Sequence, residues 1–325
     1  MKLSPVRDLD HKHSLFWLGT WSLGGEGFGP SDLRESKRTL EAALDAGVRY
    51  FDTAGLYAKG KSEELLGASI GSQREAVFLS SKGGLFWDGN TVQHDGSESG
   101  LRTALSKSLD RLNTDYLDLF QLHWPDPNVP ITESLSALKA FKKEGLIRYW
   151  GVGNLSSKQI KAYISPNEFI PHQLHFNPIH AEMNCLKAGF DEGRCLNFVY
   201  SPFEQGLLLA NEIEKKIGKK DLRNRNPYFN SVNINSFLTK YYELMPNGIE
   251  RAARLILWCL SFKEVSGVIA GPRSVSQLKE CLRYQTWIER LKLDVSKRDW
   301  VGILKGETGD VLWTLLNSRL IPNKS

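Results

Sequence analysis

The sequence predicts an α/β protein: a single (β/α)8, or TIM, barrel over about residues 16–283. A long loop follows the seventh strand and a helical tail closes the chain, all within one domain of residues 1–325. Three observations carry this prediction. Short runs rich in apolar, β-branched or aromatic residues alternate with amphipathic helical patterns from end to end; there are eight such runs; and no linker or shift in composition divides them. Alternation of this kind builds a parallel sheet covered by helices, and eight strands of it close into a barrel of typically about 250 residues.

The predicted strands are 16–19 (FWLG), 48–52 (VRYFD), 77–81 (VFLSS), 116–122 (YLDLFQL), 148–152 (RYWGV), 171–176 (PHQLHF), 197–200 (NFVY) and 265–269 (VSGVI). They read as strands buried on both faces, which lose the polar–apolar alternation of a half-exposed sheet. Between them lie helical patterns. Leu101, Ala104, Leu105, Leu109 and Leu112 recur at three- and four-residue steps and form one face. Over 132–144, Leu135, Leu138 and Phe141 form the stripe after Thr132 and Glu133; Ser156 is the N-cap of the next helix. Ala46-Gly47-Val48-Arg49-Tyr50-Phe51 echoes Glu144-Gly145-Leu146-Ile147-Arg148-Tyr149-Trp150. In both, a helix ends on a glycine suited to the left-handed position, then a strand begins. The excess length falls in residues 205–247, after the seventh strand, and in 284–325, which carry Trp287, Trp300 and Trp313. The tail is expected to pack helices across the barrel, with a lid as the lesser option.

The net charge of +5 is spread along the chain, and the densest run, Lys215, Lys216, Lys219 and Lys220, is flanked by acids. This describes a solvated helix face, with no nucleic-acid partner expected. The first residues, MKLSPVRDLDHKHS, contain no apolar signal core. No apolar run approaches the roughly 18 residues of a membrane span, so no membrane partner is expected. Cys185, Cys195, Cys259 and Cys281 show no CxxC spacing and are expected as free thiols in a cytoplasmic protein. His172, His175 and His180 cluster, but residues 172 and 175 of one strand face opposite ways, so no metal is expected there. Oligomeric state is not legible.

The stretch YFDTAGLYAKGKSEELLG (50–67) supports two chemistries. Gly55 to Ser62 fits the phosphate-loop pattern GxxxxGK[ST], which implies a nucleoside triphosphatase with Lys61 on phosphates and Ser62 on magnesium. The same stretch places Asp52 at a strand end and Tyr57 in the loop after it. In a barrel the active site lies at the C-terminal ends of the strands. Lys82 ends the third strand and His123 the fourth, so Asp52, Tyr57, Lys82 and His123 converge on one rim. Singly, each has a bland reading as packing aromatic, surface cation or core histidine; together, in register with strand ends, they read as a site. Reduction of a carbonyl needs a hydride donor and a proton for the developing alkoxide. A free tyrosine, with pKa about 10, is a sluggish acid at neutral pH. A neighbouring Lys82 ammonium is expected to lower that value, Asp52 to hold the lysine, and His123 to orient the substrate oxygen.

With these four residues the chain resembles the aldo-keto reductase superfamily over residues 16–283. Asp52, Tyr57, Lys82 and His123 match its catalytic tetrad in type and order. LGTW (18–21), FDTA–LY (51–57), KSEELLG (61–67), SSKGG (80–84), LDLFQLHWPDP (117–127), GVGNLS (151–156), YSPFEQGLL (200–208) and GPRSVSQLKEC (271–281) look like family segments. The His-Trp-Pro run and DLRNRNPYF (221–229) are most similar to the branch of bacterial and plant reductases and channel β-subunits. The resemblance implies NADPH as cofactor. Asn154 and Gln173 would hold the nicotinamide carboxamide, with Tyr200 stacked on the ring and Gly19, Thr20 and Trp21 beside it. Ser201, Phe203, Gly206 and Leu208 would shape the pyrophosphate path. Gly271, Arg273 and Ser274 would meet the adenosine 2′-phosphate, with Gln277 and Glu280 on the adenine side. A guanidinium at that turn favours the phosphorylated cofactor, and barrels often hold phosphate beside strands seven and eight.

Three positions depart from the family pattern. Gly153 replaces a serine, implying a lost hydrogen bond. Glu204-Gln205 replaces a small residue and an arginine near the pyrophosphate, and Glu204 is expected to point away from it. Cys281 stands where asparagine is usual. Trp21, Trp87 and Trp124 are the expected substrate contacts, with Phe86, Tyr228 and Phe229 as further wall candidates for an aldehyde, a ketone or, through the 88–97 loop, a sugar-like carbonyl. The phosphate-loop reading offers only Asp118 as its second acid, inside a strand, and leaves Lys82, His123, Asn154, Gln173, Tyr200 and Arg273 without a role. The GVGNLS segment lacks the third glycine of a dinucleotide fingerprint. A non-catalytic NADPH-binding subunit on the same barrel is the other alternative.

Overall fold

The computed structural model describes residues 15–25, 27, 32–210, 221–229, 235, 237–239, 241–242 and 250–294. Trp300 and Trp313, the lysine run at 215–220 and much of the 205–247 insertion lie outside them.

Eight parallel strands close on themselves: β1 (Phe16–Gly19), β2 (Tyr50–Asp52), β3 (Phe78–Gly83), β4 (Leu117–Leu122), β5 (Ile147–Gly153), β6 (Ile170–Asn177), β7 (Cys195–Tyr200) and β8 (Val265–Ala270). Each pairs with its successor, and β8 returns to β1 through Phe16↔Val268. All eight coincide with the predicted strands to within a few residues. The helices are α1 (Leu33–Asp45), α2 (Lys61–Ile70), α3 (Glu98–Leu112), α4 (Ile131–Lys143), α5 (Ser157–Tyr163), α6 (Met183–Phe190), α7 (Arg251–Leu260), α8 (Val275–Leu282) and α9 (Tyr284–Arg290). Ser156 caps α5 in a reciprocal capping box with Gln159. The cap of α4 falls on Pro130, two residues before Thr132. Gly47 and Gly145 follow α1 and α4 with φ of 82° and 83°, the left-handed conformation expected at both joints. A hairpin, Leu85–Asp88 paired with Thr91–His94, rises from the end of β3.

Strand parity positions the site. Trp17, Tyr50, Phe78, Leu119, Phe198 and Ile269 form a buried cluster of their own, separate from the larger core between sheet and helices. They plug the barrel's interior; Trp17 stacks on Tyr50 at 5.6 Å and meets Phe198 at 4.4 Å. Side chains alternate along a strand, so residues two or four further on share that interior face nearer the C-terminal rim. From Trp17, Tyr50, Phe78, Leu119 and Phe198 the count reaches Gly19, Asp52, Ser80 and Lys82, Gln121 and His123, and Tyr200. An apolar plug below and a polar ring above thus follow from one alternation. The tail's first helix sits low and outside the site: Tyr284 stacks on Phe16 at 6.0 Å, and Trp287 lies beside Arg254 of α7.

Candidate active site

The four rim residues meet. Lys82 Nζ donates to Asp52 Oδ2 at 2.6 Å, to the Thr53 carbonyl at 2.9 Å and to the Tyr57 hydroxyl at 3.3 Å. Asp52 Oδ1 accepts from Ser80 Oγ at 3.1 Å and from Gln173 Nε2 at 2.7 Å, and Gln121 Nε2 donates to Ser80 Oγ at 3.0 Å. The carboxylate is therefore held by three donors from two strands, β3 and β6, and Asp52 and Lys82 are 3% and 4% exposed. The His123 ring meets the Tyr57 ring edge-on at 5.7 Å, and its Nδ1 is buried with no hydrogen-bond partner among the described residues.

Burial dominates the electrostatics. It raises the Tyr57 hydroxyl well above its ordinary value, with the Asp52 charge adding to the rise. This is the reverse of what the sequence predicts, a tyrosine made more acidic by Lys82. Asp52 neutralises the field of that ammonium, and desolvation of the phenolate then decides. Burial also lowers the Lys82 ammonium, against the attraction of Asp52 and Glu63. His123 falls well below its usual value because it is buried, with Lys82 and then His94 opposing a second positive charge. At neutral pH Tyr57 is thus a protonated donor, and His123 is a neutral imidazole with one N–H to give.

A cavity of about 480 Å³ opens above these groups. It is walled by the tetrad and by Gly19, Trp21, Trp124, Asn154, Gln173 and Tyr200 at the strand ends. Further out it passes Ser201, Phe203 and Gly206, then Gly271, Arg273, Gln277, Glu280 and Cys281. Asn154, at φ 60°, donates from Nδ2 to the His123 carbonyl at 3.0 Å and accepts the Tyr200 hydroxyl on Oδ1 at 2.7 Å. Four members of the sequence-predicted set lie elsewhere. Thr20 is fully buried, its amide bonded to the Asp52 carbonyl. Leu208 is buried in the outer core. Ser274 spends its hydroxyl capping α8 through the Gln277 amide. Trp87 donates to the Leu56 carbonyl at 2.8 Å and faces an adjoining cavity of about 400 Å³, which shares Trp21, Leu56, Tyr57 and Gln205 with the first. Tyr228 lines that second cavity as well; Phe86 is exposed.

The departures resolve physically. A Cβ at Gly153 would stand 2.6 Å from the His123 carbonyl oxygen, so the close approach of β4 and β5 excludes a side chain there. Cys281 is buried at the cavity's end. Glu204 is 1% exposed and turned to His175, Asn177 and Asn226. Burial alone would raise its carboxyl, but these partners hold it below the usual carboxylate value. Arg223, not among the contacts predicted from the sequence, lines the cavity, and its charge helps lower Arg273, after burial itself. It stands inside the DLRNRNPYF segment, but nothing local shows that this segment returns to the rim.

The phosphate-loop residues do not form a cradle. Ala58 and Lys59 have φ of 49° and 56°, Lys61 is exposed, and the Ser62 hydroxyl donates to the Thr20 carbonyl at 3.3 Å. The Arg111 side chain packs over Gly60 and pairs with buried Glu63. Asp118 lies at the opposite end of β4, paired with Arg74 and Arg148. His172 and His175 do face opposite ways: His172 is buried behind the sheet against Asn197, while His175 is at the rim.

The model of the Aldo/keto reductase family matches residues 16–291. The chain belongs to this family. It is an oxidoreductase by membership, and its closed barrel is the family's. It is 30% identical to the aldo-keto reductase YhdN of Bacillus subtilis (strain 168) over 296 residues, covering 88% of this chain and 89% of that one. It is also 30% identical over 274 residues to a probable voltage-gated potassium channel subunit beta of Oryza sativa subsp. japonica, covering 78% and 82%. Among solved structures, the glycerol dehydrogenase AKR11B4 from Gluconobacter oxydans superposes with a TM-score of 0.71 at 25% identity, covering 92% of this aldo-keto reductase and 96% of its own chain. Among the described residues, no helix is long and apolar enough to cross a membrane.

Proposed function

We propose that this aldo-keto reductase reduces an aldehyde or ketone to an alcohol with NADPH, Tyr57 giving the proton. The observation that carries the reading is the Asp52–Lys82–Tyr57 chain at the floor of a cavity large enough for a cofactor ring and a small carbonyl. NADPH supplies the hydride. Tyr57, kept protonated by burial, hydrogen-bonds the carbonyl oxygen beside His123. As hydride reaches carbon, the oxygen gains charge, and an alkoxide is a far stronger base than a phenolate. The proton passes to it, and Lys82 Nζ at 3.3 Å stabilises the phenolate left behind until solvent reprotonates it. Asp52 keeps the ammonium aimed at Tyr57. The lining fits the cofactor: Tyr200 offers a flat wall, Asn154 is clamped between Tyr200 and His123, and Arg273, beside the Arg223–Asp221 pair, offers charge to a phosphate at the outer end.

The non-catalytic alternative draws on the likeness to channel β-subunits, and turnover separates the two. Purified protein should consume NADPH faster than NADH with a panel of aldehydes and ketones. Tyr57→Phe should cut kcat by about 100- to 10,000-fold while leaving cofactor affinity within a few fold. NADPH binding without turnover on any carbonyl would favour the regulatory reading. Equal turnover by Tyr57→Phe would remove the proton-donor role.

A further inference from the structure

Glu204 is the one acid introduced at the departure beside the proposed pyrophosphate path, and it is almost wholly buried. Its Oε2 accepts from His175 Nε2 and from Asn177 Nδ2, each at 2.7 Å, and its Oε1 accepts from Asn226 Nδ2 at 2.5 Å. The second hydrogen of Asn177 Nδ2 goes to the Ser201 carbonyl at 2.9 Å. A carboxylate can only accept, so the proton of His175 sits on Nε2 and is aimed at Glu204.

Each partner leads to a different wall. His175 lies parallel to Tyr200, at 5.5 Å and 10°, and covers one face of that ring. His180 stacks on His175 in turn, at 4.1 Å and 13°. Asn226 belongs to the segment 221–229, which crosses the mouth of the site. Its Oδ1 accepts the Tyr228 amide at 2.9 Å, and the Leu222 amide is fastened to the Gly27 carbonyl at 2.7 Å. Arg223 of this strap lines the catalytic cavity, while Arg225, Asn226 and Tyr228 line the adjoining one. The backbone turns through a sparsely populated region here: Ser201, Glu204 and Gln205 have φ of 55°, 44° and 54°, and the Glu204 side chain leaving this turn is held by three donors.

We propose that Glu204 is a positioning residue that sets two walls at once: through His175 the ring of Tyr200, and through Asn226 the 221–229 strap that closes the substrate end of the site. The Tyr200 arm, in which that ring supports the nicotinamide, and the strap's effect on the substrate rest on the reductase reading; the ordering of the strap by Glu204 does not. The substrate's non-reacting end then lies between Trp21, Trp87 and Tyr228, so the strap sets which carbonyl compounds fit.

Three substitutions separate the arms. In Glu204→Gln, the single amide oxygen can serve His175 and Asn177, but its NH2 then opposes the NH2 of Asn226, and the strap keeps only the longer bond from Asn226 Nδ2 to Gln205 Oε1 at 3.2 Å. Asn226→Ala breaks the strap link, together with the Asn226 bonds to Gln205 Oε1 and the Tyr228 amide, and leaves His175 on Glu204. His175→Phe keeps a stacked ring but gives Glu204 no proton. Amide hydrogen exchange without ligand is expected to quicken about tenfold at residues 222–229 in Glu204→Gln and Asn226→Ala, and to stay unchanged there in His175→Phe. With NADPH, His175→Phe should weaken cofactor binding by about five- to tenfold, read by fluorescence titration. Asn226→Ala should leave cofactor binding alone and raise KM for the carbonyl by about tenfold at nearly constant kcat. The double variant Glu204→Gln/Asn226→Ala should be no worse in KM than Glu204→Gln. Unchanged exchange at 222–229 in folded Glu204→Gln overturns the proposal. So does an equal loss of Tm, cofactor binding and KM in all three variants, which would mark a merely structural carboxylate. A wild-type protein that ignores NADPH sinks the reductase reading instead, and the exchange experiment still decides the strap arm.

Discussion

The two ends of the barrel each bury an aspartate paired with cations, and they do so differently. At the C-terminal rim, Asp52 is bonded to Lys82, itself buried and shared with Tyr57 under an open cavity. At the N-terminal end, Asp118 takes Arg148 on Oδ1 at 2.8 Å, and Arg74 and the Leu79 amide on Oδ2 at 2.9 Å each. Both guanidinium groups there also lie over the Tyr116 ring, at 4.0 and 4.3 Å. The lower pair is saturated, and Arg148 is 56% exposed, so its charge stays hydrated. The upper pair leaves groups incompletely satisfied: His123 Nδ1 is buried without a partner among the described residues, and Lys82 and His123 are both pushed toward neutrality. A buried ion pair alone therefore says little about function. Incomplete satisfaction beside a cavity says more.

Neutralising each aspartate should separate the two ends most sharply. Asp52→Asn strands a buried ammonium and should cost roughly 3–5 kcal/mol of stability. It should also lower kcat by at least about 100-fold, because Lys82 loses its aim at Tyr57. Asp118→Asn leaves Arg148, which water can reach, and Arg74, which stays bonded to Thr114 and to the Val77 and Tyr116 carbonyls, and should cost about 1–3 kcal/mol with kcat/KM within twofold. Urea unfolding and steady-state kinetics on both variants measure this. If Asp118→Asn lost as much activity as Asp52→Asn, the ends would not differ as argued.

A smaller effect comes from a histidine that belongs to neither end. His172, behind the sheet with Asn197, is lowered to about 4 by burial, which its hydrogen bond to Asn197 only partly opposes. Its folded value lies below that of the unfolded chain, so the unfolded state binds the extra proton first. Stability from this group is intact above about pH 6.5 and is lost as pH falls from there toward 4. Between pH 7 and 4.5 the loss should be roughly 2–3 kcal/mol, since one pKa unit is about 1.4 kcal/mol. His172→Gln should flatten that part of the stability profile. His123, lowered the same way at the rim, should make its mark on the acid limb of kcat/KM, below pH 6.5. An acid limb in kcat/KM unmoved by substitution of His123 would break this division between rim and core.

How much of this was legible beforehand follows from where each fact resides. The strands and the tetrad were readable because strand alternation and short sequence distances place them: Asp52 and Tyr57 are five residues apart, and Lys82 and His123 end their own strands. The acidity of Tyr57 is not legible in the sequence, because desolvation depends on what packs around the ring, and no local pattern records that. Gly153 reads as a missing hydrogen bond in sequence; in space it is a close backbone approach to His123. The path of Glu204 through three residues of positive φ was not readable at all. Those residues (Ser201, Glu204 and Gln205) carry no sequence signal for that conformation, and their partners come from β6 and the 221–229 strap.

The smallest expected effect sets two glycines against each other across the same strand. Gly145 sits at the lower end, before β5, at φ 83° with open space where a Cβ would go. Only the left-handed backbone opposes a side chain there, so Gly145→Ala should cost about 1–2 kcal/mol and leave kinetics unchanged. Gly153 ends β5 at the rim outside the left-handed region, but a Cβ there would press on the carbonyl of His123, 2.6 Å away. That carbonyl also accepts from Asn154. Gly153→Ala should therefore shift His123 and Asn154 together and show itself as a rise in KM and in cofactor Kd beyond what its Tm explains. A kinetic defect in Gly145→Ala, or none in Gly153→Ala, would mean that the rim is no more exacting about its backbone than the lower turns, and the contrast between the two ends would reduce to the tetrad alone.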